Sequence, residues 1–206
     1  MLAIIGGTGF DGIQGFQESG FKRILTPFSK DRVIIELYSK NSATVAVVLR
    51  HGKKHHVPPH KINYQANLWA LKAAGVKHVI APTAAGSLSH DIHPGEFVVI
   101  DQFIDRTKAR KDTFYDGPTI THIPVAEPYC NCLREKAKAA LKAVNVPHHT
   151  EGTVVVIEGP RFSTQAESKW FSSMGGTVIN MTQYPEVVLD RKSTRLNSSH
   201  LVISYA

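Results

Sequence analysis

The stretch Thr44-Val45-Ala46-Val47-Val48-Leu49-Arg50-His51-Gly52 decides how the chain is organised. Its first six residues form an apolar, β-branched run typical of a strand that is buried on both faces. Arg50 and His51 follow directly, and the end of a strand is a favoured place for ligand-binding loops. The planar guanidinium of Arg50 matches two oxygens of a phosphate, with a surface salt bridge as its alternative role. The stretch therefore predicts a buried strand with an anion site at its end.

Other apolar runs extend this pattern along the chain. Val- and Ile-rich segments predict strands at 2–5, 33–37, 78–81, 97–100, 153–157 and 177–181. Apolar residues at helical spacing predict helices after residue 64, at about 133–144 and at about 163–174, and Pro185-Glu186 has the character of a fourth helix start. Strands interspersed with helices predict an α/β sandwich around a largely parallel sheet.

Composition narrows the class of protein. A chain of 206 residues is expected to form one domain with one sizeable core. The net charge of +7 comes from scattered bases without interleaved aromatics, which disfavours a nucleic-acid binder and fits an anionic small substrate. Cys130 and Cys132 are too few for a disulfide framework, so two reduced thiols are expected. With no apolar run long enough to span a bilayer and no signal-like N-terminus, the expected location is the cytoplasm, away from membranes.

A glycine-rich turn follows the first predicted strand. In Gly6-Gly7-Thr8-Gly9, converging backbone N–H groups and the Thr8 hydroxyl favour a phosphate loop. Gly7, Gly9 and Gly12 also fit a dinucleotide fingerprint, which would require a helix from about residue 10. The glycines that follow are poor helix formers, so a phosphate loop is the preferred interpretation.

Further strand ends carry candidate ligand contacts. The segment from Ile80 to Ser87 ends an apolar run in small residues that allow a ligand to approach, and Thr182 can point a hydroxyl at an anion. Met181 offers an adaptable wall, and Phe162 follows a rigid turn from which it can stack on a flat base. Each has a structural alternative, as an ordinary turn or a core side chain. The histidines at 51, 55, 56 and 60 lack nearby carboxylates and are interrupted by prolines, so no metal site is predicted.

Taken together, these segments resemble the methylthioadenosine branch of the purine nucleoside phosphorylase family. The matching pieces are IIGGTG, LRHGKKHHVPPHKINYQANLWAL, PTAAGS, GEFVVIDQFIDRT, HIPVAEP, VVIEGPRFSTQAES and VINMTQYPEVVL, which cover residues 1 to about 191 in the family's order. The resemblance implies a three-layer phosphorylase sandwich around a mixed, largely parallel sheet, usually in a homotrimer. It also implies phosphorolysis of 5′-methylthioadenosine to adenine and 5-methylthioribose 1-phosphate, in purine and methionine salvage. Inorganic phosphate is then a co-substrate, and no cofactor or metal is implied.

The resemblance also assigns roles to individual residues. The phosphate would be lined by Thr8, Arg50, His51, Thr83, Ala84 and Thr182. Met181 would contact the ribose, Phe162 and Ser163 would lie near the purine, and His122 would reach the alkylthio pocket of the neighbouring subunit. No side chain acts as a nucleophile, because phosphate has that role. A phosphorylase acting on methylthioinosine or on purine nucleosides in general is the alternative within the family.

The resemblance stops near residue 190. We therefore expect a phosphorylase domain at 1–190, incomplete at its C-terminal side, and a tail at 191–206 that is non-native or disordered. The family's proton-donating Asp lies in a loop with no counterpart here, so impaired activity is expected. A dinucleotide-dependent oxidoreductase and a nucleic-acid binder are the alternatives outside the family.

Overall fold

The computed structural model describes residues 1–192, 197–199 and 201–204. The strands are β1 (Leu2–Gly6), β2 (Gln17–Thr26), β3 (Ser29–Lys40), β4 (Ala43–Leu49), β5 (His78–Ile80), β6 (Thr83–Ser87), β7 (Phe97–Val99), β8 (Gln102–Arg106), β9 (His148–His149), β10 (Thr153–Ile157), β11 (Val178–Asn180), β12 (Asn197–Ser199) and β13 (Leu201–Ser204). The helices are α1 (Tyr64–Ala73), α2 (Asn131–Ala143), α3 (Gln165–Ser173) and α4 (Gln183–Lys192), with a 3₁₀ turn at Pro59–Lys61.

The strands lie in two mixed sheets. One has the order β12-β5-β1-β4-β3-β2, and the other has the order β8-β10-β11-β6-β13-β7-β9. The α/β class is confirmed, as are the predicted strands and all four predicted helices. Strands β2, β6, β8, β9, β12 and β13 were not predicted. The β2 strand is mostly exposed and polar, and β6 consists of small residues, so neither has an apolar strand pattern.

The β4 strand brings two of the sequence motifs together. It pairs in parallel with β1, with Gly6 opposite Leu49, and antiparallel with β3 on its other side. The Arg50 backbone N–H donates to the Gly6 carbonyl at 2.9 Å. The glycine-rich turn and the Arg50-His51 pair therefore leave the sheet at neighbouring points.

The dinucleotide-binding alternative is wrong on structural grounds. It requires a helix from about residue 10, but residues 7–16 are irregular and run directly into the β2 strand. Without a helix N-terminus at this turn, the pyrophosphate site of that fold is not formed.

Two apolar clusters hold the sheets together, and α4 contacts both. Leu189 packs with Ile5, Leu68 and other residues of the first cluster, whereas Val187 and Val188 pack into the second cluster. The α4 helix is therefore fixed between the two sheets, directly after the segment that carries Thr182.

The segment that falls outside the family resemblance is described in part. The β12 strand pairs with β5, and β13 lies between β6 and β7. Residues 193–196, 200, 205 and 206 lie outside the described residues, and the non-native origin of 191–206 stays a prediction. None of the helices in the described part of the chain has the length and apolar character needed to cross a membrane.

Candidate active site

A cavity of about 380 Å³ opens where β1, β4, β10 and β11 end and β6 begins. This size falls in the range of small-molecule sites. Its walls combine small hydroxyl-bearing residues at one end with apolar and aromatic residues at the other. The lining residues are Thr8, His51, Pro59, Thr83, Ala84, Ala85, Gly86, Ile157, Phe162, Ser163, Ile179, Asn180, Met181 and Thr182. Of the ten predicted phosphate- and substrate-binding residues, His122 was predicted to reach a neighbouring subunit. Eight of the other nine line this cavity, and Arg50 does not.

One end of the cavity, which we call the hydroxyl end, carries Thr8, Thr83 and Thr182. The β6 and β11 strands are antiparallel, so the start of β6 faces the residues that follow β11. As a result, the hydroxyl oxygens of Thr83 and Thr182 lie 3.0 Å apart although the residues are 99 positions apart in the chain. Both threonines are buried, and hydroxyls of this kind can turn their O–H groups toward an anion.

The side chain of Thr8 reaches the same end from the glycine-rich turn. Its hydroxyl lies 3.4 Å from Nε2 of His55. The His55 ring in turn lies against His51, with the ring centroids 4.5 Å apart. The turn after β1 and the loop after β4 therefore close one side of the hydroxyl end together.

His51 is held as a neutral imidazole with a defined tautomer. Its Nδ1 lies 2.8 Å from the Val57 carbonyl oxygen, which can only accept, so Nδ1 carries the hydrogen. Burial lowers the pKa of His51, and the nearby Arg50 charge adds to this effect. The neutral ring therefore keeps Nε2 unprotonated near pH 7, and this atom can accept a hydrogen bond from a protonated phosphate oxygen.

Arg50 lies behind the cavity wall and is not one of its lining residues. Its Nε and Nη2 atoms donate to the Glu186 carboxylate at 2.9 and 2.8 Å, and both side chains are 1% exposed. Its Nη1 atom donates to the Pro82 carbonyl at 3.4 Å, and a Cβ on Gly7 would lie 2.5 Å from this Nη1. The guanidinium edge that was predicted to grip phosphate is thus bound to Glu186. A direct phosphate contact through Nη1 stays a prediction.

The Arg50–Glu186 ion pair stabilises the structure around the hydroxyl end. Burial opposes the charge on Arg50, but the adjacent Glu186 carboxylate outweighs this and raises the pKa of Arg50. A buried ion pair of this kind is costly to break, because one charge would be left uncompensated in the interior. The pair also ties the loop after β4 to α4, and so fixes the position of Thr182.

The other end of the cavity, which we call the aromatic end, is more open. Phe162 lines it with 84% of its surface exposed, beside Ser163, Ile157 and Met181. Ser163 is held by a 2.8 Å hydrogen bond between its hydroxyl and that of Ser168. An exposed aromatic ring at the mouth of a cavity is available to stack on a flat ligand.

His122 lies apart from the cavity of its own chain. It is exposed, in the irregular stretch between β8 and α2, and it does not line the cavity. Its predicted contact with a neighbouring subunit therefore stays a prediction.

Three polar side chains that are buried near the site were not predicted from the sequence. These are Glu186, which was predicted only as part of a helix start, and the pair Tyr64 and Arg110 behind the aromatic end. Their partners are 46 to 136 positions away in the chain, so spacing gives no signal for them. Among the described residues, no group of three or more His, Cys, Asp or Glu side chains is arranged to hold a metal ion.

These features define an α/β protein with a cavity of small-molecule size that has a hydroxyl-bearing end and an aromatic end. The chain belongs to the phosphorylase superfamily, whose family model matches residues 1–192. It is 45% identical over 197 residues to S-methyl-5′-thioadenosine phosphorylase of Danio rerio, covering 93% of this chain and 70% of that protein. It is 46% identical over 189 residues to the protein of the same name from Saccharolobus solfataricus, covering 91% of this chain and 70% of that protein.

Solved structures give the same assignment. Methylthioadenosine phosphorylase from Schistosoma mansoni in complex with adenine is similar with a TM-score of 0.92 and 37% identity, covering 98% of this chain and 80% of that one. A variant of the adenosine/methylthioadenosine phosphorylase from the same organism in complex with methylthioadenosine has a TM-score of 0.92 and 36% identity. This match covers 99% of this chain and 80% of that one.

Proposed function

We propose that this chain catalyses the phosphorolysis of 5′-methylthioadenosine to adenine and 5-methylthioribose 1-phosphate. The observation that carries this proposal is the joint placement of Thr8, Thr83 and Thr182 at one end of a cavity whose other end holds Met181 and Phe162. Three hydroxyls from distant parts of the chain suit an anion, and the aromatic end suits a purine. The names of the similar proteins agree with this pairing of ligands.

The chemistry follows from the placement of the two substrates. A phosphate oxygen attacks the anomeric carbon of the sugar, the bond from that carbon to N9 of the purine breaks, and the purine leaves with the electron pair. The protein's task is to hold the anion below the sugar while positive charge develops there. Phosphate is itself the nucleophile, so the reaction needs no activated Ser or Cys, and we propose that it uses no metal or organic cofactor.

Proton supply to the leaving purine limits the expected rate. No residue that lines the cavity in the described part of the chain is a carboxylic acid. General acid catalysis typically contributes about 10²–10⁴-fold. We therefore expect slow turnover, with the proton at N7 coming from water or from a group beyond this lining.

The test measures the rate of adenine release from 5′-methylthioadenosine with and without inorganic phosphate. Chromatography identifies the products. We expect adenine and a sugar phosphate only when phosphate is present. Adenine release at the same rate without phosphate would instead show a hydrolase. Faster turnover of methylthioinosine or inosine would favour the alternative specificity within the family.

We also propose that the protein acts in the cytoplasm as a homotrimer, independent of nucleic acid and membranes. The support on this chain is the exposure of His122 and of Ile120 near it, which leaves the stretch between β8 and α2 available to a neighbouring subunit. Light scattering after size-exclusion chromatography tests the trimer. A monomer at micromolar concentration would contradict it.

A further inference from the structure

The segment 107–116, which follows β8, is tied down behind the aromatic end of the cavity. Its central residue, Arg110, has a side chain that is only 3% exposed. The Gln65 side-chain amide donates to the Thr113 carbonyl, and the Tyr184 hydroxyl donates to Asp112, both at 2.5 Å. A buried arginine in a loop is unusual unless its charge and its donors are engaged.

The guanidinium of Arg110 donates to main-chain and side-chain oxygens on three other parts of the chain. Nη2 donates to the Glu158 carbonyl at 2.8 Å and to the Ile157 carbonyl at 3.4 Å. Nη1 donates to the Tyr64 hydroxyl at 3.1 Å and also to the Tyr184 carbonyl. The charge is met by the Glu158 carboxylate, which lies 3.6 Å from Nε.

Apart from the contact with Tyr184, each of these contacts leads to a residue that lines the cavity. Ile157 is itself a lining residue. Tyr64 donates to the carbonyl of Pro59, another lining residue, at 3.1 Å. Gly159, next to Glu158, lies so close to Met181 that an added Cβ would be 2.6 Å from its sulfur. Arg110 therefore fixes the main chain behind Ile157, Pro59 and Met181 while touching none of the space a substrate would fill.

The hydroxyl end has supports of its own, and the Arg110 network meets it only at backbone carbonyls of Met181 and Tyr184, on either side of Thr182. Thr83 and Thr182 are placed by strand ends, by their mutual hydroxyl contact and by the Arg50–Glu186 pair. Thr8 is placed by the turn after β1 and by its contact with His55. The Tyr64 hydroxyl that donates to Pro59 keeps its hydrogen, because burial raises the pKa of the Tyr64 phenol. The two ends of one cavity are thus supported by two separate buried arginines.

We propose that Arg110 is a positioning residue that sets the geometry of the nucleoside-binding half of the cavity, while the Arg50–Glu186 pair supports the phosphate-binding half. This inference rests on the proposed function. Lysine cannot replace the planar fork, because its single ammonium group cannot reach carbonyls on several segments at once. Misplacement of a binding wall by about 1 Å commonly costs about 10²-fold in rate.

The test measures the affinities for 5′-methylthioadenosine and for inorganic phosphate separately, by calorimetry, in the wild-type chain and in Arg110→Met. We expect the Kd for the nucleoside to rise about 10- to 100-fold, as a displaced wall predicts, while the Kd for phosphate stays within about twofold. Arg110→Lys should recover only part of the loss. Lys111→Met is the matched control, because this exposed neighbour does not line the cavity.

A second variant keeps the inference testable if Arg110→Met folds poorly. Tyr64→Phe removes only the hydroxyl that links Arg110 to the carbonyls of Pro59 and, at 3.5 Å, Met181. We expect a rise of about 3- to 10-fold in the nucleoside Kd, as for the loss of one hydrogen bond, with phosphate binding unchanged. Equal weakening of both ligands, or no change in nucleoside binding, would overturn the inference alone. Failure of the wild-type chain to bind either compound would overturn the proposed function and the inference with it.

Discussion

The two ends of the cavity differ in how the chain builds them. The hydroxyl end combines two buried threonines, Thr83 and Thr182, with the exposed Thr8, and it is braced by the Arg50–Glu186 ion pair. The aromatic end is open, with Phe162 largely exposed, and it is braced by hydrogen bonds from Arg110 to main-chain oxygens. An anion needs fixed donors in a water-poor place, whereas a flat base needs an accessible surface on which to stack.

The two ends also differ in how the charge of the buried arginine is neutralised. At the hydroxyl end, one carboxylate neutralises one guanidinium completely inside the protein. At the aromatic end, carbonyl dipoles from several segments share the guanidinium, with a more distant and partly exposed carboxylate. The first arrangement should be sensitive to removal of a single charge, and the second should be sensitive to loss of the planar fork.

The largest expected effect is from Glu186→Gln, which leaves the buried charge of Arg50 without its counter-charge. We expect a loss of about 3–5 kcal/mol in the free energy of unfolding, since removal of one partner of a buried pair is strongly destabilising. Urea denaturation measures this directly. Replacing both partners, with Arg50→Met and Glu186→Leu, should recover most of the loss.

The matched control for this prediction is Glu135→Gln, which removes the partner of Lys138 in a surface pair. Exposed pairs contribute little, so we expect no measurable change. If Glu186→Gln unfolds at the same urea concentration as the wild type, the buried pair does not stabilise the fold around the hydroxyl end.

A smaller effect is expected from Thr182→Val and from Thr83→Val, which keep the side-chain shape and remove one hydroxyl each. A hydrogen bond to a charged group contributes about 1.5–3 kcal/mol, so the Kd for phosphate should rise roughly 10- to 150-fold. Calorimetric titration with phosphate measures it. The exposed Thr44→Val, in the first part of β4, serves as control. Wild-type phosphate affinity in both cavity variants would place the anion elsewhere.

The smallest effect concerns pH and His51. The pKa of this residue is lowered in the folded state, so the unfolded chain binds a proton first as the pH falls below about 6.5. Stability is therefore lost as the pH falls through this window, with a slope of at most about 1.4 kcal/mol per pH unit from this group.

His51→Asn isolates this contribution, because its amide can still donate to the Val57 carbonyl but does not titrate. Unfolding free energies measured at about pH 7, 6 and 5 should fall less steeply for the variant than for the wild type. A constant difference between the two proteins over that range would mean that His51 is not held neutral by the fold.

Much of the fold follows from local sequence pattern. The β-branched run at Ala43–Leu49 and the apolar spacing of α1 and α2 are visible without a structure, because strand and helix periods differ. Strand β2 was missed, since an exposed edge strand with polar residues and Gly20 carries no such period. The small residues of β6 likewise give no apolar strand pattern.

The candidate site divides in the same way. The resemblance to the family named Thr8, Thr83, Ala84, Thr182, Phe162, Ser163 and Met181, and the structure brings all of them to one cavity with His51. It did not place the Arg50 guanidinium edge against Glu186, nor identify Arg110 as the support of the aromatic end.

What the sequence determined by itself is therefore the set of elements and the residues at their ends, since both depend on neighbours along the chain. What only the tertiary structure decided is which partner each buried charge meets. Arg50 and Glu186 are 136 positions apart, and Arg110 and Tyr184 are 74 apart. Such pairings depend on how two sheets and α4 pack in space, and the cost of leaving a buried charge unpaired is what makes them specific.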